Sequence, residues 1–156
     1  MGSSSFVLLG LLACFASLTS ALTCELEWSI FGENCYRFFP DESDKNWAFA
    51  QSYCEWYSGN LVSIHSHAEK DFVDGLVPQD VSMYSIGAHT QEDEISFTWI
   101  DQTAWDYNMP VILHSGQKFE GVLVAYRGHP GSVPTWEKFE IDFAPMAAYV
   151  CKKPAA

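Results

Sequence analysis

The chain has 156 residues, with 8 Lys or Arg against 20 Asp or Glu and a formal net charge of −12. A surface this acidic repels phosphate backbones, anionic membranes and sulfated polysaccharides, and no basic cluster interrupts it, which excludes nucleic acid as a partner. Basic proteins, neutral ligands and cations remain.

Residues 1–21, MGSSSFVLLGLLACFASLTSA, hold no charged side chain, run apolar from Phe6 to Leu18 and end in the small residues Thr19, Ser20 and Ala21. This is the pattern of a secretory signal peptide cut after Ala21. A membrane span needs about 20 apolar residues, and Ser17, Thr19 and Ser20 break this run. No later segment is long or apolar enough to cross a bilayer, and there is no C-terminal hydrophobic tail. Residues 22–156 are therefore expected to form one secreted, extracellular domain without a membrane span. At roughly 135 residues it buries about two thirds of its unfolded surface. Its oligomeric state is left open.

Cys14 leaves with the signal, so the mature chain keeps Cys24, Cys35, Cys54 and Cys151. An even number in a secreted chain implies two disulfides, for which four cysteines allow about three pairings. The spacing favours Cys24 with Cys35, a short clasp, and Cys54 with Cys151, which ties the early domain to its end. A zinc site competes but lacks any CxxC. No N-x-S/T sequon is present, so no N-linked glycan is expected.

Along the mature chain, "CYRFF" alternates and reads as an early strand. "PDESDKN" supplies turn and cap residues before "WAFAQSYCEWYSGN", where Trp47, Ala50, Cys54 and Tyr57 share one helical face. Gly59 and Asn60 tolerate the left-handed conformation that closes such a helix. "LVSI" reads as a short strand, and Ser66 with Glu69 as the capping box of a second helix, whose apolar face is Ala68, Phe72, Val73 and Leu76. Short strands follow at "YSIGA", "SFTWI", "GVLVAY" and "AAYVC". Residues 102–119 and 127–135 are long irregular stretches of the kind that carry function or are disordered.

Several side chains invite a chemical reading. "PTWEKFE", residues 134–140, sets Trp136 beside the acid-base pair Glu137 and Lys138, and either grips a ligand or closes a strand turn. Trp105 and Tyr107 enter the first long stretch, where large aromatics stack on a sugar ring, anchor a protein partner or fill the core. His114 and His129 lie in the two long stretches, where an imidazole titrates near neutrality. His65 and His67, two apart, read as cap and turn residues rather than a metal pair. The run "QEDE" at 91–94 reads as a solvated hairpin tip. No nucleophile elbow, HExxH, unpaired cysteine or paired-carboxylate motif appears, so the chain is not expected to be an enzyme.

Taken in order, the leading cysteine clasp, "W..A...C" on a helix, "GNLVSIHS..E..FV", "IGA", "FTWID" and a last cysteine after "AAYV" resemble the C-type lectin-like domain over about residues 24–153. The resemblance implies an α+β fold with two helices, small antiparallel sheets, chain ends brought together and a long-loop region that carries ligand binding. Cys24 and Cys35 are similar to the extra pair of the family's long form. The family's second core disulfide would fall near Gly121 and near Ile141, neither of which is a cysteine, and its absence is expected to hold the long loop less tightly. The tryptophan of the family's "WIGL" pattern falls at Ser85.

The resemblance also frames "PTWEKFE". Sugar binding in this family typically runs through calcium, held by an acid-Pro-Asn or Gln-Pro-Asp triplet and by the Asn and Asp of a "WND" motif. Here Trp136 is followed by Glu137 and Lys138, and Pro110 has neither an acid before it nor Asn or Asp after it. Calcium takes about six to eight oxygen ligands, and lysine supplies none. An ammonium about 4 Å from a divalent ion is repelled by roughly 8 kcal/mol at an effective dielectric of about 20, an upper figure because the side chain can swing outward. Lys138 near Glu120 or Glu137 is expected to substitute for the metal, with no cofactor bound.

The sequence thus predicts a ligand-recognition module that binds a protein or glycan through its long loops without calcium. Its candidate contacts are Trp105, Tyr107, His114, Glu120, His129, Glu137 and Lys138. The alternatives are a calcium-dependent lectin with an atypical site at Glu120, Glu137 and Asp142 and, from another class, a secreted hydrolase or enzyme inhibitor on the same scaffold.

Overall fold

The structure, a computed structural model, describes residues 21–40, 46–90, 96–113, 120–128, 133–141 and 148–156. The early strand forms where expected: β1 (Ser29–Phe31) turns into β2 (Asn34–Pro40), whose Cys35, Tyr36 and Phe39 are buried. β2 pairs antiparallel with the last strand, β9 (Ala148–Pro154), from Asn34 opposite Pro154 to Pro40 opposite Ala148. That register brings the chain ends together, and Thr23 and Ala156 exchange backbone hydrogen bonds of 2.8 and 3.1 Å.

Helix α1 (Trp47–Trp56) starts at Asn46, whose side chain accepts the Phe49 N–H at 3.1 Å. Trp47, Ala50 and Cys54 are buried as their spacing predicts, and so is Gln51. Gln51 is satisfied there: its carbonyl accepts the Leu61 N–H at 2.9 Å and its amide donates to Asn60 at 2.8 Å, which ties the helix to β3 (Asn60–Leu61). The expected strand "LVSI" is thus a strand only at Leu61, although Val62, Ser63 and Ile64 are fully buried. The helix closes on a left-handed Ser58 (φ 60°) rather than on Gly59 or Asn60. Gly59 serves a close approach, because a Cβ there would lie 2.6 Å from the Lys152 carbonyl oxygen.

Helix α2 (His67–Leu76) is capped by Ser66, whose hydroxyl accepts the Glu69 N–H at 3.1 Å. The reciprocal half of the expected capping box is shifted by one residue, since Glu69 accepts the His65 N–H at 2.7 Å. Glu69 is buried and Ala68 exposed, the reverse of the apolar face read from the sequence. The cause is a long-range demand on the carboxylate: it also accepts the Tyr36 hydroxyl at 2.6 Å and the Lys152 ammonium at 2.7 Å. A buried charge persists where it is paired and hydrogen-bonded.

The remaining strands are β4 (Met83–Thr90), β5 (Phe97–Trp99), β6 (Val111–Leu113), β7 (Gly121–Tyr126) and β8 (Thr135–Glu140). They build one sheet in the order β1-β2-β9-β4-β7-β8-β6, with β3 on β9 and β5 on β4, an α+β fold with two helices. Strand β6 lies within a stretch read as irregular and pairs in parallel with β8. Alternation along β7 separates two cores: Leu123 and Ala125 join Trp99, Trp136, Ile86 and Val73, while Val122 and Val124 join Trp47, Cys54 and Cys151. Both disulfides have the pairing that the spacing favours, Cys24–Cys35 and Cys54–Cys151. The second spans 97 residues and fastens α1 to β9, a closure that stabilises by about 4.7 kcal/mol on the chain-entropy account.

Candidate functional site

The stretch "PTWEKFE" does not close a turn. Thr135–Glu140 is strand β8, paired with β7 on one side and β6 on the other. Alternation sends Trp136 and Lys138 to one face and Glu137 to the other. Trp136, 1% exposed, is the centre of an aromatic cluster: its ring lies 5.5 Å from Trp99, 5.6 Å from Trp105 and 6.2 Å from Tyr107. Trp105 also stacks 4.7 Å from Trp99 and 5.9 Å from Phe97. The two aromatics that open the long loop therefore pack on the core and remain partly accessible. Just beyond them the Pro110 carbonyl accepts the Trp136 N–H at 2.9 Å and starts the β6–β8 pairing.

Lys138 is only 5% exposed. Its stem lies over Gly121, where an added Cβ would come within 2.6 Å of Lys138 Cε and 2.8 Å of the Phe139 carbonyl oxygen. The position that resembles a family cysteine is thus a glycine because the lysine occupies the space. Glu120, exposed at the start of β7, acts on His89 of β4. Burial lowers the pKa of His89, opposed by the Glu120 charge and a hydrogen bond to the Gly87 backbone. The His89 Nδ1 is buried without a hydrogen-bond partner among the described residues. The described residues contain no group of three or more His, Cys, Asp or Glu that could hold a metal ion. Their side chains around β8 do not supply the oxygen-rich cage that calcium takes. His114, His129, Asp142 and the 91–94 run lie outside the described residues.

A second constellation sits beside the loop entry, and sequence reasoning missed it. His65 Nδ1 lies 2.7 Å from Asp106 Oδ1, and its Nε2 lies 3.1 Å from both Ser63 Oγ and Thr103 Oγ1. The hydrogen bond from His65 holds the Asp106 carboxyl below its ordinary range. Two residues along, His67 Nδ1 lies 3.3 Å from the Tyr107 hydroxyl. Burial raises the pKa of Tyr107. Asp101, the acid of "FTWID", accepts the Ser63 hydroxyl at 2.5 Å, the Thr103 hydroxyl at 2.6 Å and the Thr103 N–H at 3.0 Å. Lys152 donates to Ser63 Oγ at 3.2 Å.

Serine, histidine and aspartate here fall in the order of a hydrolase triad. Their chemistry differs. A triad serine gives its proton to the imidazole and meets substrate, whereas Ser63 gives its proton to Asp101 and has no accessible surface. The network pins the start of the long loop to the start of α2. The signal available in the sequence was the two histidines at a helix start, but Asp106 is 41 residues from His65, and no local pattern links them.

The sequence model of the lectin C-type domain matches residues 43–121. Snaclec 5 of Bitis arietans is 33% identical over 164 aligned residues, covering 99% of this chain and all of the relative. A snaclec anticoagulant protein of Deinagkistrodon acutus is 35% identical, covering 69% of this chain and 75% of its own length. Among solved structures, the cow carbohydrate-recognition domain of CD23, crystallised in the presence of an oligosaccharide, superposes with a TM-score of 0.71 at 26% identity, over 87% of this chain and 99% of that one.

Proposed function

This chain belongs to the C-type lectin domain family, and from that premise we propose that it is a secreted ligand-recognition module, freed of residues 1–21, that binds a protein or glycan without calcium and without catalysis. The observation that carries the calcium-free reading is Lys138, an ammonium-bearing side chain buried on the Trp136 face of β8 where the family resemblance places a metal-binding carboxylate. The contact surface is the long-loop side of the sheet, with Trp105 and Tyr107 as aromatic contacts, Glu120, Glu137 and Lys138 around β7 and β8, and His114 and His129 in the loops.

The distribution of charge favours a basic protein as the ligand. Arg37, Lys70, Lys152 and Lys153 are committed to Glu27, Asp74, Glu69 and Glu25, and Arg127 donates to the carbonyls of Val77, Pro78 and Val81. With these cations engaged, the acidic surplus faces outward and steers cationic partners. The name of the second relative, an anticoagulant protein, agrees with recognition of a protein. The oligosaccharide present with the CD23 domain supports the glycan reading.

Thermal unfolding of the disulfide-intact protein in millimolar calcium and in excess chelator tests the metal. The melting temperatures are expected to coincide. Calcium at about one hundred times its Kd would add about 2.7 kcal/mol, or roughly 10 °C for a domain of this size. A rise of that order overturns the calcium-free reading. Glycan and basic-protein arrays probed in chelator test the ligand, and retained binding that Trp105→Ala abolishes is the expected result. Loss of all binding in chelator refutes it.

A further inference from the structure

We infer that His65 is a pH-responsive latch for the entry of the long loop, fastening Asp106 and Thr103 to the start of α2 on the acidic side of neutrality and loosening them as pH rises. The inference rests on the reading that this loop meets the ligand.

The argument is a count of hydrogens. Ser63 and Thr103 both direct their hydroxyl hydrogens to Asp101, at 2.5 and 2.6 Å, so each presents only oxygen lone pairs to His65 Nε2. Asp106, a carboxylate, presents only lone pairs to Nδ1 at 2.7 Å. The arrangement is satisfied in full when both ring nitrogens carry hydrogen, which is the imidazolium. A neutral ring has one N–H, and one side of the bridge then sets lone pair against lone pair. Either Asp106 withdraws, or a hydroxyl rotates toward Nε2 and gives up its charge-assisted bond to Asp101. Both outcomes weaken the tie.

The surroundings of the ring support a charge that comes and goes. Asp106 faces it from the loop, Asp101 lies behind the two hydroxyls, and Glu69 of α2 accepts the His65 backbone N–H at 2.7 Å. Lys152 of β9 approaches from the far side, but Glu69 holds it at 2.7 Å. The edge of the imidazole meets the Trp99 ring at 6.0 Å, so the latch touches the same aromatic cluster on which Trp105 sits. His67 adds a weaker tie to the next loop residue, Tyr107, at 3.3 Å, with Asp71 3.5 Å from its other nitrogen. The side chain of Asp106 is 54% exposed and that of His65 23%, so the latch is solvent-linked and answers to bulk pH.

The test reads the loop without any ligand. Backbone amides of residues 102–109 and the histidine ring resonances are followed by NMR from about pH 5 to about pH 8, together with amide-exchange protection. The loop amides are expected to shift with the midpoint of the His65 ring, and their protection to fall on the order of threefold across it, as for a partly exposed ion pair. His65→Gln should remove that shared midpoint, Asp106→Asn should flatten it while leaving the ring in place, and His67→Gln should leave it. Loop shifts that follow no histidine, or that persist in His65→Gln, overturn the latch. Because no ligand enters the measurement, failure on the arrays with an intact shared midpoint would count against the proposed function alone.

Discussion

Removing Trp136 tests whether the long-loop entry is held by one aromatic unit. The ring is 1% exposed, enclosed between β7 and the loop, and touches three other aromatic rings at 5.5, 5.6 and 6.2 Å. Trp136→Ala loses the transfer free energy of the indole and leaves a cavity, about 3 to 5 kcal/mol together. The upper half of that range is expected, because paired strands on both sides prevent collapse of the site. At about 4 °C per kcal/mol for a domain of this size, the melting temperature should fall by roughly 15 to 20 °C. The decisive measurement is a double-mutant cycle with Trp105→Ala, followed by thermal unfolding. An edge-to-face pair such as Trp105 with Trp136 should show a coupling of about 0.5 to 1.5 kcal/mol. Additivity within about 0.3 kcal/mol, or a fall of less than about 5 °C for Trp136→Ala, would refute the idea that the loop entry is anchored through this ring.

Two further expectations concern its neighbours. Gly121→Ala sets a Cβ against Lys138 Cε and the Phe139 carbonyl oxygen, at 2.6 and 2.8 Å, and should cost about 1 to 3 kcal/mol in a denaturant titration with unchanged slope. Adding Lys138→Ala should recover only part of that, since the carbonyl stays in place, and full recovery would show that the backbone contact carries no cost. For His89 the folded state lowers the pKa, so its contribution to stability is present above the ordinary histidine range and is lost as pH falls. The melting temperature should therefore drop more steeply between about pH 7 and about pH 5 in the parent chain than in His89→Asn, and parallel slopes would contradict the assignment.

Features encoded in neighbouring residues were legible in the sequence. Ser66 caps α2 because a hydroxyl three residues before Glu69 reaches its N–H, and the Cys24–Cys35 clasp spans a separation of 11 residues. The burial of Trp136 was legible from the resemblance. Misreadings arose where distant segments compete for one side chain. Glu69 appeared as a solvent-side cap residue, but Tyr36 and Lys152, 33 and 83 residues away, draw its carboxylate inward and rotate Ala68 out. The same holds at the candidate site. Nothing near "PTWEKFE" announces that Gly121 leaves space for the Lys138 stem, and nothing near "HSH" announces Asp106 and Tyr107.

That asymmetry bears on how the loop is ordered. On the calcium-free reading no metal is available to hold the loop against the sheet, and the bridge expected near Gly121 and Ile141 is not formed by those residues. The ties that remain differ in kind. Trp105 and Tyr107 on Trp136 supply apolar packing, which is insensitive to pH and to chelators. The contacts of His65 with Asp106 and of His67 with Tyr107 are polar and solvent-linked. A loop held this way should ignore calcium, loosen modestly as pH rises while its aromatics stay in place, and come free only when the ring cluster is broken. Ligand capture measured on one sample against chelator, pH and Trp136→Ala separates these contributions. Sensitivity to chelator with no sensitivity to pH would reverse the ranking and return the loop to metal control.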